Sequence, residues 1–326
     1  MANNVLSFWP TIGVALLRLL KMDEHIMVHA ALAFRPSPLH VRNYWAVVTP
    51  LLVCAAWSAP ALAQCRPPNN SNEARLLAFY EAPIVFSMAD APERLAPGAV
   101  RVGVEGAPIP MPNAALQHTH LCYQSTTQST RLAPAFGRPR VTVGLPAGFA
   151  AEASYLPPVS IAGAQPNIGS VALSRAQSLP LTGGRATLLL RAHGTIGRVR
   201  GAITCPRSGL QTQDPAQPCY GSEPSRDSFD PNMFGAEGAI SVRAPSGRIA
   251  LYAGGGATWL RPRFQVGFTD ATGIADATRV EVNLVRGTLF GGLTARVTNA
   301  LDLSGQLYAV PTDVTTFRLG IGYRLR

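Results

Sequence analysis

The sequence predicts an all-β protein: an antiparallel transmembrane β-barrel of about ten strands, with eight to twelve possible, preceded by a short N-terminal helix. Three observations predict it. The chain is 47% hydrophobic but only 14% charged over 326 residues, against a usual charged share of about 25%. From residue 98 onward its apolar residues recur at every second position, the period of a sheet with two unlike faces. The connections between these runs alternate between short and long. Disorder, which joins low hydrophobicity to high net charge, does not fit these facts. Nor does a set of helical spans, each needing about 20 apolar residues, since only residues 1–63 come close.

Residues 1–63 read as an upstream extension followed by a signal peptide. Arg42 supplies the positive start, residues 45–57 the apolar core, and Ala61-Leu62-Ala63 a small-x-small cleavage site that leaves Gln64 first. Pro50, Pro60 and the short core argue against a transmembrane anchor, and Gln64 before Cys65 argues against lipidation. The start is long for a signal, so translation from Met27 or nearby is expected. Export leaves Cys65, Cys122, Cys205 and Cys219 in an oxidising compartment, with three possible pairings. Cys205 with Cys219 closes the shortest loop, which leaves Cys65 with Cys122. His118, His120 and Cys122 alternate along one segment, but the spacing of a zinc site is missing, so no metal is expected.

Residues 64–97 precede the barrel. Asn70-Ser71-Asn72-Glu73 has the form of a capping box, Leu76, Phe79 and Tyr80 share a helical face, and Pro83 stops the helix after about ten residues. This segment either lies at the membrane interface or enters the lumen as a plug. Only a run of residues 65–97 through the lumen would let Cys65 reach Cys122 in the first long loop.

The barrel occupies residues 98–326. Strands are expected near 98–107, 138–146, 148–157, 167–178, 185–204, 232–244, 247–268, 278–297, 301–310 and 316–326. The last is the clearest, with Phe317, Leu319, Ile321, Tyr323 and Leu325 alternating with Arg318, Gly320, Gly322, Arg324 and Arg326. Short turns fall at Pro146-Ala147-Gly148, 179–184, Pro245-Ser246-Gly247 and Thr298-Asn299-Ala300. The other connections, 108–137, 158–166, 205–231 and 269–277, are long, except Pro311 to Thr315. Segments 185–204, 247–268 and 278–297 exceed the roughly 9–11 residues of a crossing, so they project beyond the membrane or split into hairpins. Within 185–204 the apolar parity changes from Leu188 and Leu190 to Val199 and Ile203, which a bulge near Gly194 and Gly197 would explain.

With the Ala61-Leu62-Ala63 signal, the turn asymmetry and the strand from Phe317 to Arg326 in place, the chain resembles the outer-membrane β-barrel proteins of Gram-negative-type bacteria over roughly residues 64 to 326. The resemblance implies a place in the outer membrane, both termini on the periplasmic side, and outer-membrane lipid and the barrel-assembly machinery as partners. Such proteins commonly end on an aromatic residue. Here the last aromatic is Tyr323, followed by Leu325 and Arg326.

If the apolar parity meets lipid, the other lines the lumen. That assigns Arg101, Glu105, Arg140, Glu152, Arg185, Arg191, Glu237, Arg248, Arg279, Glu281, Arg296, Asp302, Arg318 and Arg324 inward. They form either a closed ladder of ion pairs in a structural barrel, or the wall of a passive porin-like pore whose excess arginine favours small anionic solutes. The alternative function is a surface binding or adhesion module acting through loops 108–137 and 205–231. An enzyme is not expected. His193 is inward near Ser174 and Glu152, but no Gly-x-Ser-x-Gly elbow occurs, and Gly254-Gly255-Gly256 lacks the Lys and helix of a phosphate loop. No cofactor is implied. Residues 64–326 carry 24 arginines and 16 acids, a net +8, and Lys21 is the only lysine in the chain. Export and the lack of any recognition motif exclude a nucleic-acid partner. Trp259, Phe264 and Phe268 are candidates for an aromatic girdle or an external extension.

Overall fold

A computed structural model describes residues 64–117, 119, 121–122, 134–161, 163–181 and 184–325. The expected leader, His118 and His120 lie outside them. Ten strands form the wall: β1 (Val100–Pro108), β2 (Ala135–Gly144), β3 (Phe149–Leu156), β4 (Gln165–Leu181), β5 (Gly184–Gly201), β6 (Asp227–Arg243), β7 (Ile249–Gln265), β8 (Leu284–Arg296), β9 (Leu301–Val310) and β10 (Val314–Leu325). Each pairs antiparallel with its neighbour in sequence. β10 returns to β1 from Leu319 opposite Gly106 to Leu325 opposite Val100, so the barrel closes without an edge. Connections at one end are tight. Between β2 and β3, Ala147 and Gly148 both take positive φ (58° and 79°), which turns the chain within a few residues.

Burial is inverted relative to a water-soluble sandwich. Val171 and Ile196, at 64% and 70% exposure, face outward, while Arg138 and Arg318, at 2% and 1%, face the interior. In water such a wall would expose its apolar surface and bury its charge, losing on both counts. Against hydrocarbon the same alternation is favourable, because the outward side chains along the middle of the strands are predominantly apolar and the strand hydrogen bonds are made within the wall.

The long segments project rather than form hairpins. Segment 278–297 breaks at residues 282–283 into Arg279–Glu281 and β8, both of which pair with β7. Segment 185–204 contains no bulge. The β5–β6 ladder is interrupted between Thr195 opposite Met233 and Val199 opposite Phe229, with equal spacing on the two strands, so no residue is inserted. The parity holds and the surroundings exchange. Above the hydrocarbon, Arg198 and Arg200 point outward, whereas Val199 turns into an apolar interior with Ile168, Phe229, Met233 and Leu260.

That interior receives the N-terminal segment. Helix α1 (Asn72–Glu81) is capped by Ser71, whose hydroxyl accepts from the Ala74 N–H at 3.1 Å. The cap is thus one residue later than the expected box, and Glu73 instead accepts from the Leu121 N–H at 2.7 Å. Ala74, Leu77, Ala78 and Phe79 are buried, while Leu76 and Tyr80 are only partly so. Pro83 ends the helix in a tight turn, Ala82–Ile84. Residues 85–97 then run down the lumen to Gly98 (φ 80°) and into β1. The structure pairs Cys65 with Cys122 and Cys205 with Cys219. Gln64 pairs in parallel with Arg279 at the long-loop end, so residue 64 and the end of β10 sit at opposite ends of the barrel. The expectation of both termini at one end fails for residue 64 because the strap reaches β1 from the far side.

Candidate functional site

The lumen is the candidate site, and residues 82–93 cross it as a strap that has no regular secondary structure beyond the tight turn at Ala82–Ile84. Buried backbone N–H and C=O groups need partners, and the wall's own backbone is committed to its ladders, so side chains must supply them. Arginine suits the carbonyls, with five donors and no acceptor. Arg138 donates to Ile84 O (2.8 Å) and Val85 O (2.7 Å), Arg140 to Ser87 O (2.6 Å), Arg318 to Ala82 O (3.0 Å), and Arg191 to Phe86 O. Gln306 and Ser241 donate to Met88 O (2.9 Å) and Pro92 O (3.0 Å). Strap donors find acceptors too. The Met88 N–H and the Ser87 hydroxyl both bind Glu237, at 2.8 and 2.6 Å.

These cations are themselves held by carboxylates. Glu105 lies between Arg138 (2.5 Å) and Arg140, Glu152 between Arg140 (2.5 Å) and Arg191 (2.7 Å), and Glu237 beside Arg191 (2.9 Å). The alternation runs from β1 and β2 across to β6. Three guanidinium groups, those of Arg138, Arg140 and Arg191, stand 4.4–4.9 Å from the ring centre of Phe86, which is fully buried. Nearer the short turns, Glu93 receives Arg324 (2.7 Å), Arg296 (3.0 Å) and, further off, Arg243 (3.7 Å). Asp302 pairs with Arg324 (2.6 Å), and Arg101 with Asp90. The cavity left between strap and wall here is about 80 Å³, room for a few waters.

Of the residues assigned inward from sequence, Arg101, Glu105, Arg140, Glu152, Arg191, Glu237, Asp302 and Arg318 lie in the lumen, and Arg296 and Arg324 at its short-turn mouth. Four lie elsewhere. Arg185 and Arg248 are exposed beside short turns. Arg279 and Glu281 flank the break before β8, which turns Val280 inward in their place, and Glu281 faces Arg66 and Arg263 at 3.6 and 3.7 Å. Sequence reasoning missed Arg138, which shares the parity of Arg140, and the strap residues Phe86, Asp90 and Glu93, which have no periodicity to reveal them. His193 is buried beside Gly235. Ser174 donates to Ala150 O at 3.4 Å, and both Glu152 oxygens are taken by arginines, so the three do not form a linked unit. Among the described residues no group of three or more His, Cys, Asp or Glu could hold a metal.

No family model and no curated protein matches the chain. Among solved structures it is similar to the attachment invasion locus protein Ail of Yersinia pestis, at 10% identity and a TM-score of 0.27, covering 71% of this chain and all of that one. The outer membrane protease OmpT from Escherichia coli is 9% identical, with a TM-score of 0.36 over 70% of this chain and 94% of its own. The translocator domain of the autotransporter NalP from Neisseria meningitidis is 9% identical, with a TM-score of 0.29 over 72% and 90%.

Proposed function

We propose that the protein is a structural barrel of the bacterial outer membrane, exported by a cleaved signal and closed to solutes by its own N-terminal strap. The inverted burial supports the membrane, and the turn asymmetry supports the orientation with long loops outside. One observation carries the closed state over the open, anion-preferring pore: residues 82–93 cross the lumen with their carbonyls bound by four buried arginines. An open pore would leave those guanidinium groups to water and solute, whereas here they are spent on backbone and carboxylates.

The test is single-channel recording in planar bilayers. The intact protein is expected to be silent, and the chain lacking residues 64–97 to conduct. Steady conductance from the intact, disulfide-bonded protein would restore the pore reading. A second reading, a surface binding module, draws on the hydrogen-bonded base of loop 205–231. There the buried Asp227 accepts from the N–H groups of Ile203 (2.8 Å), Thr204 (2.6 Å) and Gly267 (2.9 Å) and from the Ser225 hydroxyl (2.7 Å). Ligand binding that survives strap removal but not replacement of residues 205–225 would favour it.

A further inference from the structure

The lumen uses the inward parity alone. On the outward parity, Ala153, Val171, Gly194, Phe234 and Trp259 are register partners in one row across β3 to β7. Gly194 and its neighbour Gly169 lack side chains, so the wall is notched there into a groove of about 510 Å³ walled by Val171, Ile196 and Phe234. Toward the long loops the same parity changes abruptly to charge, with Arg198 and Arg200 on β5 and Arg261 and Arg263 on β7. Along β7, the outward apolar run from Leu251 to Trp259 rises roughly 20 Å at a tilt near 40°, close to the height of a hydrocarbon band. The arginines therefore stand at the interface, just above the groove.

Their pairing is incomplete. Arg198 is taken by Asp230 (2.6 and 2.9 Å), and Arg263, 57% exposed, has Glu281 at 3.7 Å. Among the described residues Arg200 and Arg261 form no ion pair. A second hollow of about 340 Å³, lined by Asn167, Gly197, Arg198 and Arg200, adjoins the groove. The Arg261 guanidinium lies 5.6 Å from the Phe234 ring, which stacks on Trp259 at 5.1 Å, so the cation is held over the groove's rim. The opposite wall lacks this combination. On β9 and β10 the outward positions above Leu307 and Phe317 are Ala309 and Thr315, both neutral. An apolar notch topped by Arg200 and Arg261, which form no ion pair among the described residues, and by the exposed Arg263, with Glu281 at 3.7 Å, matches a molecule with an apolar tail and an anionic head. Guanidinium binds phosphate in a bidentate fork.

We propose that this outer wall binds a phosphate-bearing lipid of the leaflet at the long-loop end, with an acyl chain in the Gly169–Gly194 groove and the phosphate on Arg261, Arg263 and Arg200. The site is independent of whether the lumen conducts. The experiment titrates the purified, folded full chain in nonionic detergent with dioleoyl phosphatidic acid, with diolein (the same chains without phosphate), and with inorganic phosphate. Binding is read by native mass spectrometry and by Trp259 emission, the only tryptophan in residues 64–326, isolated by difference from W259F. Phosphatidic acid is expected to bind at one per chain, at least tenfold tighter than diolein. The double variant R261Q/R263Q should lose tenfold or more. G169L should lose as much by filling the groove, at a position where a Cβ meets nothing within 4 Å. Gel migration of unheated samples confirms that both variants fold. Equal binding of phosphatidic acid and diolein, or no effect of R261Q/R263Q, would make these arginines ordinary surface cations and overturn the proposal. Full binding by G169L, or displacement of the lipid by equimolar inorganic phosphate, would reduce the site to an anion site without a lipid groove and overturn it as well.

Discussion

Phe86 and Glu105 hold the strap by different physics. Phe86 offers a ring face to three guanidinium groups that repel one another, and a desolvated cation over a ring is worth about 2 kcal/mol or more. Phe86→Leu keeps the apolar bulk and removes the ring, so the strap should loosen by about that amount while the barrel still closes. Amide hydrogen exchange over residues 82–93 would report it, and unchanged protection would show that the hydrogen bonds alone hold the strap. Glu105 balances Arg138 and Arg140 in a site 2% exposed. Glu105→Gln leaves two buried cations short of a charge, at a cost of about 3–5 kcal/mol. The expected result is a large fall in the urea midpoint, against almost none for the exposed Glu223→Gln. Of the two residues only Glu105 was legible in the sequence, because strand parity reports which face a residue takes. Phe86 has no parity, since it lies outside the strands and its ring partners Arg138, Arg140 and Arg191 come from β2 and β5, far away in sequence.

At the scale of elements, the strap is held at its upper end by the Cys65–Cys122 bond, with a separation of 57 residues. The chain-entropy account gives a loop of that length about 4 kcal/mol of stabilisation, against about 3 for a 14-residue loop, the separation between Cys205 and Cys219. Cys122→Ser should therefore raise exchange along residues 65–97 and leave the wall strands protected. If instead protection falls on β1 and β2 as much as on the strap, the bond serves the wall. The ten strands were legible for a simple reason: a wall between lipid and a polar lumen enforces strict alternation. Alternation stops being informative where both environments change, as at Val199. There an apolar residue turns inward against α1 and an arginine turns outward to water, and from sequence alone that exchange has the same signature as a one-residue bulge. The break before β8 has the same effect on Arg279 and Glu281.

For the molecule as a whole, closing the lumen with its own chain also fixes what the barrel would pass if the strap were gone. The wall contributes Arg101, Arg138, Arg140, Arg191 and Arg318 to the interior against Glu105, Glu152, Glu237 and Asp302, and Arg243, Arg296 and Arg324 ring the short-turn mouth. Removing the strap takes Asp90 and Glu93 with it, so the surplus of arginine grows and the mouth loses the carboxylate on which three of its cations converge. The barrel without residues 64–97 should therefore conduct with a preference for anions. In a salt gradient its reversal potential should have the sign for chloride, and the preference should weaken as salt rises and the Debye length falls from about 10 Å at 0.1 M to about 3 Å at 1 M. A cation-selective current would mean that the wall carboxylates, once freed from the strap's competition for their arginines, set the field in the opened lumen. The surplus read from the sequence would then have been a property of the closed state alone.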